Sequence, residues 1–225
     1  MWCVPHLNRE YIRRMEDVLA LYERPVRARE PVVCLDEKPL QLLADARPVR
    51  SGPRCGRIQR RDYEYRRRGV ANIFCALEPK RGRHFNRVTR NRSAREFAKM
   101  MGAIARRYPR ARKIHVVLDN LNTHREVSLK RFYGPRKGRR IWRRFCVHRT
   151  PKHGSWLNQA EIEVSLVSRL VVGRRRIPER SLLRTEVNAF NATANRNKTV
   201  IHWGFTRMDA RRKFGYKCTF KRPGD

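Results

Sequence analysis

Asp36 in VVCLDEKP, Asp119 in IHVVLDNLNTH and Glu161 in HGSWLNQAEIEVS are the residues of this chain best suited to chemistry. The chain holds 20 Asp+Glu against 55 Lys+Arg, so a carboxylate set against an apolar run stands out from surface filler. Asp36 and Asp119 each end or follow a short run rich in Val, Leu and Ile, and Glu161 opens an apolar-periodic segment. Carboxylates at the ends of two neighbouring strands and on a helix can converge on one point, because strand ends are where α/β sheets bind ligands. Oxygen ligands of this kind suit Mg²⁺ or Mn²⁺. Two such ions about 3.5–4 Å apart clamp the attacking and leaving oxygens of a phosphoryl transfer. The three acids are separated by 82 and 41 residues, so the fold must bring them together.

Polar neighbours surround each acid. Asn120, Asn122 and His124 follow Asp119 directly after an apolar strand, which marks either a turn or a site. Ahead of Glu161, Lys152 and His153 are placed to reach phosphate, and Gly154 and Ser155 make a turn that lets backbone approach closely. Trp156 and Leu157 anchor that segment, and Asn158 sits near the helix start. His153 reads equally as a turn residue, and Trp156 as a plain core anchor. Lys38, Asn120, His124, Lys152, His153 and Asn158 are the candidate DNA contacts; Lys38 also reads as a solvated charge. Glu163 rivals Glu161 as the third ligand, but it lies about 200° further round a helix, so only one of the two faces the metals. Glu37 points to the opposite side of the strand from Asp36, or sits just past the strand and supports the ligands.

The elements that position these residues alternate strand and helix. Residues 8–23 carry helical spacing (Ile12, Met15, Leu19, Tyr22), with Asn8 as cap and Pro25 as stop. Residues 31–37 read as a buried strand, and 45–69 as an Arg-, Pro- and Gly-rich loop turning strand-like at DYEYRRRG. Residues 69–79 and 83–90 form an antiparallel pair across PKRG. A helix follows over 94–107, capped by Ser93, then a strand at 113–119 and a helix at 126–133. GPRKGRR reads as a basic turn, 140–148 as a strand, and 158–172 and 179–195 as helices. This order predicts an α/β fold with a mixed central sheet flanked by helices. The expected organisation is a helical lead-in over 1–28, a catalytic domain over 29–200 and a basic tail over 201–225.

At 225 residues and 40% hydrophobic content, the chain is long enough for a core and too apolar to be a disordered tail. It has no run of about 20 apolar residues and no signal-peptide pattern. The net charge of +35 opposes folding through self-repulsion, and a polyanion partner is its simplest explanation. Arg outnumbers Lys 44 to 11, and Arg is the better phosphate fork, although a GC-rich coding sequence also favours it. The six cysteines form no C-x-x-C pair and none stands at metal-ligand spacing with histidine. Cys34, Cys75 and Cys146 read as buried thiols, a usage that fits a reducing cytoplasm.

The blocks VVCLDEKPLQLL, RRDYEYRRRGVANIFCALEP, VVLDNLNTH and RTPKHGSWLNQAEIEVSLVSR resemble the transposases of bacterial insertion sequences in the IS-six-thirty group, part of the mariner-like superfamily of DDE transposases. The similarity runs in order from about residue 8 to 213, through RRIPERSLLRTEVNAF and IHWGFTRMDARRKF. It implies an RNase H-like catalytic domain whose metal-binding acids are Asp36, Asp119 and Glu161. The spacing Asn, two residues, Glu selects Glu161 over Glu163. The implied reaction is hydrolysis at a transposon end, then attack of a DNA 3′ hydroxyl on target DNA, with Mg²⁺ or Mn²⁺ and no covalent protein–DNA intermediate. The implied partners are transposon-end and target DNA and a second copy of the chain, at the bacterial nucleoid. The family's N-terminal helix-turn-helix region is not found ahead of residue 8, so the chain reads as one product of a split frame, partnered by a separate helix-turn-helix protein, as a decayed remnant, or as an excised catalytic domain. A catalytically inactive remnant that only binds DNA is the alternative. A general RNA-binding protein leaves the DEKP and WLNQAE blocks without a role.

Overall fold

The computed structural model describes residues 7–47 and 63–217. Helix α1 (Arg9–Glu23) leads into strand β1 (Val32–Asp45), which pairs antiparallel with β2 (Tyr65–Glu78). Two short strands, β3 (Arg83–His84) and β4 (Arg87–Thr89), pair back on β2. Helix α2 (Ala94–Arg107) then crosses to β5 (Ile114–Leu118), α3 (Glu126–Tyr133) and α4 (Pro135–Trp142) follow, and β6 (Phe145–Arg149) closes the sheet. Helix α5 (Ala160–Val167) runs into a π-helical turn at Ser168–Val172, followed by α6 (Arg180–Asn197) and α7 (Arg207–Phe214). The sheet order is β3-β2-β1-β5-β6, with β1, β5 and β6 parallel and β2 antiparallel to β1. This is the mixed sheet flanked by helices that the sequence predicts.

Strand β1 is central, and Val33, Cys34 and Leu35 are all fully buried because both faces of the sheet are covered. Val33 and Leu35 pack with Phe97, Met101 and Ile104 of α2; Cys34 packs with Met15 and Leu19 of α1 and Ala160 of α5. The same alternation sends Asp36 to the α1–α5 face and Glu37 to the α2–α3 face. A third cluster, built from Ile73, Cys75, Val167, Leu183 and Val187, fixes α5 and α6 against the far half of β2.

Local signals explain most boundaries. The Asn8 side chain accepts from Tyr11 N at 2.8 Å and starts α1. Ser93 occupies the cap position of α2 but contributes only its carbonyl, which accepts from Phe97 N at 3.0 Å. Between β2 and β3, Gly82 adopts a left-handed φ of 56°, and a Cβ there would lie 2.5 Å from the Lys198 backbone. GPRKGRR is helix α4 rather than a turn. Pro135 occupies the first turn, where no N–H is needed, and Gly138 lets α4 approach the α3 backbone, where a Cβ would lie 2.6 Å from Leu129 O. Residues 140–142 therefore end a helix, and the expected strand starts only at Phe145.

Helices α1 and α7, which lie within the expected lead-in and tail, both pack on the core. Met15, Val18 and Leu19 of α1 are fully buried. Helix α7 opens with a Thr206–Asp209 capping box. Its Arg211 makes two 2.8 Å hydrogen bonds to Glu16 of α1, whose Oε1 also accepts from Tyr216 at 2.9 Å. Cys34 and Cys75 are buried as expected, while Cys146 is half-buried, with its thiol drawn down to about 6 chiefly by hydrogen bonds with His115 and His148.

Glu163 is wholly buried in a polar knot between α5 and β3–β4. Its Oε2 lies 2.9 Å from His84 Nδ1, and Asn86 donates to its other oxygen. His84 Nε2 contacts Thr199 O at 2.9 Å, and Asn191 and Asn195 complete the network. Burial lowers the His84 pKa, but the Glu163 contact outweighs it and the net shift is upward. Glu163→Ala should therefore cost about 3–5 kcal/mol, because it leaves buried donors without a partner. In thermal unfolding the loss should read as a fall of roughly 10 °C or more. Since the folded His84 value is raised, its contribution is complete below about pH 6.5 and is lost as pH rises through the folded value, so the gap between wild type and Glu163→Gln should narrow on the alkaline side.

Candidate active site

Three elements deliver the three sequence-selected acids. Asp36 stands on β1 immediately after the doubly buried run, opposite Cys75 of β2. Asp119 follows the last residue of β5, and β5 runs parallel to β1, so both acids lie towards the same end of the sheet. Glu161 is in the first turn of α5. The start of α5 is tied to β1 by Asn158, whose amide donates to Leu35 O at 2.9 Å while its Oδ1 accepts from Ala160 N at 3.2 Å. Tyr22 of α1 adds a 2.8 Å hydrogen bond to Leu157 O.

The Asp36 carboxyl is pushed up to about 7, first by burial and then by the negative charges of Glu161, Glu37 and Asp119. These act against the Glu37 N–H, which donates to Asp36 Oδ1 at 2.8 Å. Asp119 moves the other way. Burial alone would raise it, but contact with His124, the Leu121 N–H at 3.2 Å and the charge of Arg149 hold it below the usual range.

His124 organises this corner. It is 1% exposed, stacks on Phe97 with ring centroids 4.5 Å apart, and contacts Glu37 Oε1 through Nε2 at 2.7 Å. Its Nδ1 lies 2.7 Å from Asp119 Oδ1 with a bent N–H direction, so charge holds this second contact more than hydrogen-bond geometry does. Burial disfavours its cation, yet the two carboxylates raise it to about 9. Arg149 of β6, unremarked in the sequence, donates to Asp119 O at 2.9 Å and to His124 O, pinning the loop between them.

The remaining candidates divide into two groups. Asn120, Lys152 and His153 share an open cleft with Tyr11 and Arg14. Lys152 and His153 are exposed on the turn closed by Gly154 N to Pro151 O at 2.9 Å, and His153 adopts a left-handed φ of 62°. Asn120 is at the cleft edge with its side chain already engaged by Arg14 and by Thr150 O, the latter at 2.7 Å. Lys38 is half-buried on the Asp36 face of β1. His124 and Asn158 lie outside this cleft and almost wholly buried, 1% exposed each. They hold carboxylate and backbone where the sequence suggested phosphate contacts. Trp156 is half-buried against Phe205, 5.5 Å between ring centroids.

The donor chemistry fits a hard divalent cation. Asp36, Asp119 and Glu161 supply oxygen only, the first two half-buried and Glu161 exposed, and the charges of Glu161 and Asp119 help raise the Asp36 carboxyl. A second combination, Glu37, Asp119 and His124, brings ligand atoms within 4.8 Å of one another. Those three already satisfy each other, which suits support of Asp119 better than direct ligation.

The comparisons agree with this architecture. A family model described as DDE superfamily endonuclease matches residues 31–184, a span that contains all three acids. No curated protein matches the sequence. Among solved structures, the fold resembles the Mos1 mariner paired end complex with Mn, at a TM-score of 0.50 and 12% identity over 88% of this chain and 65% of that one. It also resembles the mariner Mos1 paired end complex with Mg, at a TM-score of 0.53 and 13% identity over 88% of this chain and 59% of that one. The chain thus spans less than two thirds of either relative, and at this identity the likeness is one of fold, the RNase H-like sheet and its helices. With more than half of its residues matched by the family model, the chain belongs to the DDE superfamily of endonucleases.

Proposed function

We propose that the chain is the catalytic domain of an insertion-sequence transposase of the IS-six-thirty group, cutting DNA at transposon ends and joining them to target DNA in a bacterial cytoplasm. The observation that carries this reading is the placement of Asp36 and Asp119 on adjacent parallel strands, with the start of α5, which bears Glu161, tied to β1 by Asn158. Asp36, Asp119 and Glu161 would hold two Mg²⁺ or Mn²⁺ ions. When bound, such ions acidify water and neutralise charge on a phosphoryl group in flight.

The protein's own groups have distinct tasks. His124 fixes the rotamer of Asp119 and shields it from Glu37, and Arg149 sets the backbone beneath both. Asn158 and Tyr22 dock the start of α5, which carries Glu161, against β1 and α1. Lys152, His153 and Arg14 line the adjoining cleft, where Lys152 and Arg14 offer positive charge to a DNA backbone. In the first step, water attacks the phosphorus at the transposon end, a new P–O bond forms, and the P–O3′ bond breaks to leave a free 3′ hydroxyl. In the second, that hydroxyl attacks a target phosphorus and expels the target 3′ oxygen. Joining two ends calls for two active sites, hence a homodimer on DNA.

The direct test is Mg²⁺-dependent nicking of DNA carrying the element's ends. Asp119→Asn and Glu161→Gln should each lower the rate by about 10²–10³-fold or more while DNA binding persists. Unchanged nicking by Asp119→Asn would sink the assignment, and robust binding with no nicking by wild type would leave a DNA-binding remnant. Binding itself should be strongly salt-dependent, weakening by about 10³-fold or more between roughly 50 and 200 mM salt if six or more phosphates are neutralised; a flat salt response would remove DNA from the reading.

Asp36→Asn should abolish nicking yet stabilise the metal-free protein. The folded Asp36 value is raised, so folding takes up a proton between about pH 4 and 7 and stability falls across that window. Above pH 7 the penalty is complete, and the amide should recover about 1–3 kcal/mol in urea unfolding without divalent ions. Equal midpoints for the two proteins at pH 8 would contradict the charge crowding.

A further inference from the structure

His115, Cys146 and His148 form a second group of ligand-type side chains, separate from the acidic site. β5 and β6 are parallel and in register, with His115 beside Cys146 and Val117 beside His148. Alternation along the two strands sends all three side chains to the face covered by α1. One ligand atom from each lies within 4.8 Å of the others. His115 Nδ1 and His148 Nε2 face each other at 2.9 Å. The far nitrogen of His148, Nδ1, meets Asp17 Oδ2 of α1 at 2.8 Å. Asp119 follows His115 by four residues, beyond the C-terminal end of β5, whereas this cluster begins near the strand's N-terminal end.

We propose that His115 Nδ1, Cys146 Sγ and His148 Nε2 form a binding site for a zinc-class divalent ion that braces α1 against β5 and β6. The donor set decides the class of ion. Two imidazoles and a thiolate are borderline-soft ligands that suit Zn²⁺ and disfavour Mg²⁺, the reverse of the oxygen-only acidic site. The support around the ligands is of the kind metal sites use: a ligating histidine donates its other ring N–H to a carboxylate, which fixes tautomer and orientation. Asp17 fills that position for His148. His115 and Cys146 are half-buried, so an ion has a way in and a fourth coordination position is open to water. Tetrahedral bonds of about 2.0–2.1 Å to nitrogen set the two imidazole nitrogens about 3.4 Å apart, so the rings need to part by only about half an ångström. In the metal-free protein the same atoms form a proton-sharing chain from Asp17 through His148 to His115.

The test uses the full chain, stripped with a chelator and held in excess Mg²⁺ to saturate the acidic site. Zn²⁺ should bind at one ion per chain in a chelator-competition titration, and Co²⁺ in its place should give a thiolate-to-cobalt charge-transfer absorption. Cys146→Ser should abolish that absorption. His115→Ala should weaken Zn²⁺ by at least about tenfold, and Asp17→Asn by about 10–100-fold. Asp36→Asn and Asp119→Asn should leave it unchanged. On the unaltered protein, Zn²⁺ should slow alkylation of Cys146, read by mass spectrometry of the peptide that carries it. Absence of the charge-transfer band, its survival in Cys146→Ser, or Cys146 alkylation indifferent to Zn²⁺ would each overturn the proposal.

Discussion

The pairing of His124 with both Asp119 and Glu37 is the interaction on which the site depends. Four carboxylates, Asp36, Glu37, Asp119 and Glu161, gather at one end of the sheet, and the charges of the other three disfavour ionisation of Asp36. In a half-buried position such repulsion is worth several kcal/mol unless a cation intervenes. His124 is that resident cation, raised to about 9 and therefore charged at neutral pH. It neutralises only two of the four. Glu37 and Asp119 are satisfied internally, while Asp36 keeps an elevated carboxyl and Glu161 stands exposed on α5. Under the proposed function, this asymmetry would leave a place for an external divalent ion without leaving the whole cluster uncompensated.

Much of the scaffold serves to hold that asymmetry. Phe97 stacks on His124 from the α2 side, and Arg149 grips the backbone at Asp119 and His124 from β6. On the opposite face, Asn158 and Tyr22 fix the start of α5 against β1. The adjacent residues Asp36 and Glu37 therefore belong to different layers of the protein, one reaching the open site and the other the His124 support. A β-strand is the element that makes this division, since successive side chains leave on opposite faces. On α5, Glu163 turns inward to His84 and Asn86, which leaves Glu161, exposed one helical face away, as the proposed ligand.

How far the sequence could be read follows from which forces are local. Helix α1, its Asn8 cap and the buried start of β1 rest on periodicity and capping within a few residues, and they were legible. Helix α4 was not, because Pro135 and Gly138 are turn residues by composition and helix residues only in the presence of the α3 backbone. Helix α7 likewise depends on Glu16, far away on α1, to fix its arginine. The His115–Cys146–His148 group was invisible for a related reason. Its members stand 31 and 2 residues apart, a spacing that matches no ligand pattern until β5 and β6 are aligned in parallel. His124 and Asn158 were noticed as polar residues beside the acids, but burial, which alone separates support from phosphate contact, is a tertiary property.

The scarcity of acid takes on a physical meaning once the structure is described. Several of the acids outside the site are engaged with basic side chains that hold the fold together. Glu16 and Glu23 take Arg211 and Arg207 and so fasten α7 to α1; Asp45 takes Arg176, and Glu186 takes Arg175. Glu78 lies within 4 Å of both Arg81 and Arg83. Each such pair consumes one positive charge, yet the bases outnumber the acids by 35, so the excess remains available to a polyanion. Carboxylates thereby serve both to fasten segments and to build the site at the sheet end. A DNA strand drawn to the basic surface by long-range attraction would meet concentrated negative charge at that site, where a divalent ion turns repulsion into binding. On this account the ion is what makes the acidic site and the basic surface compatible with one substrate.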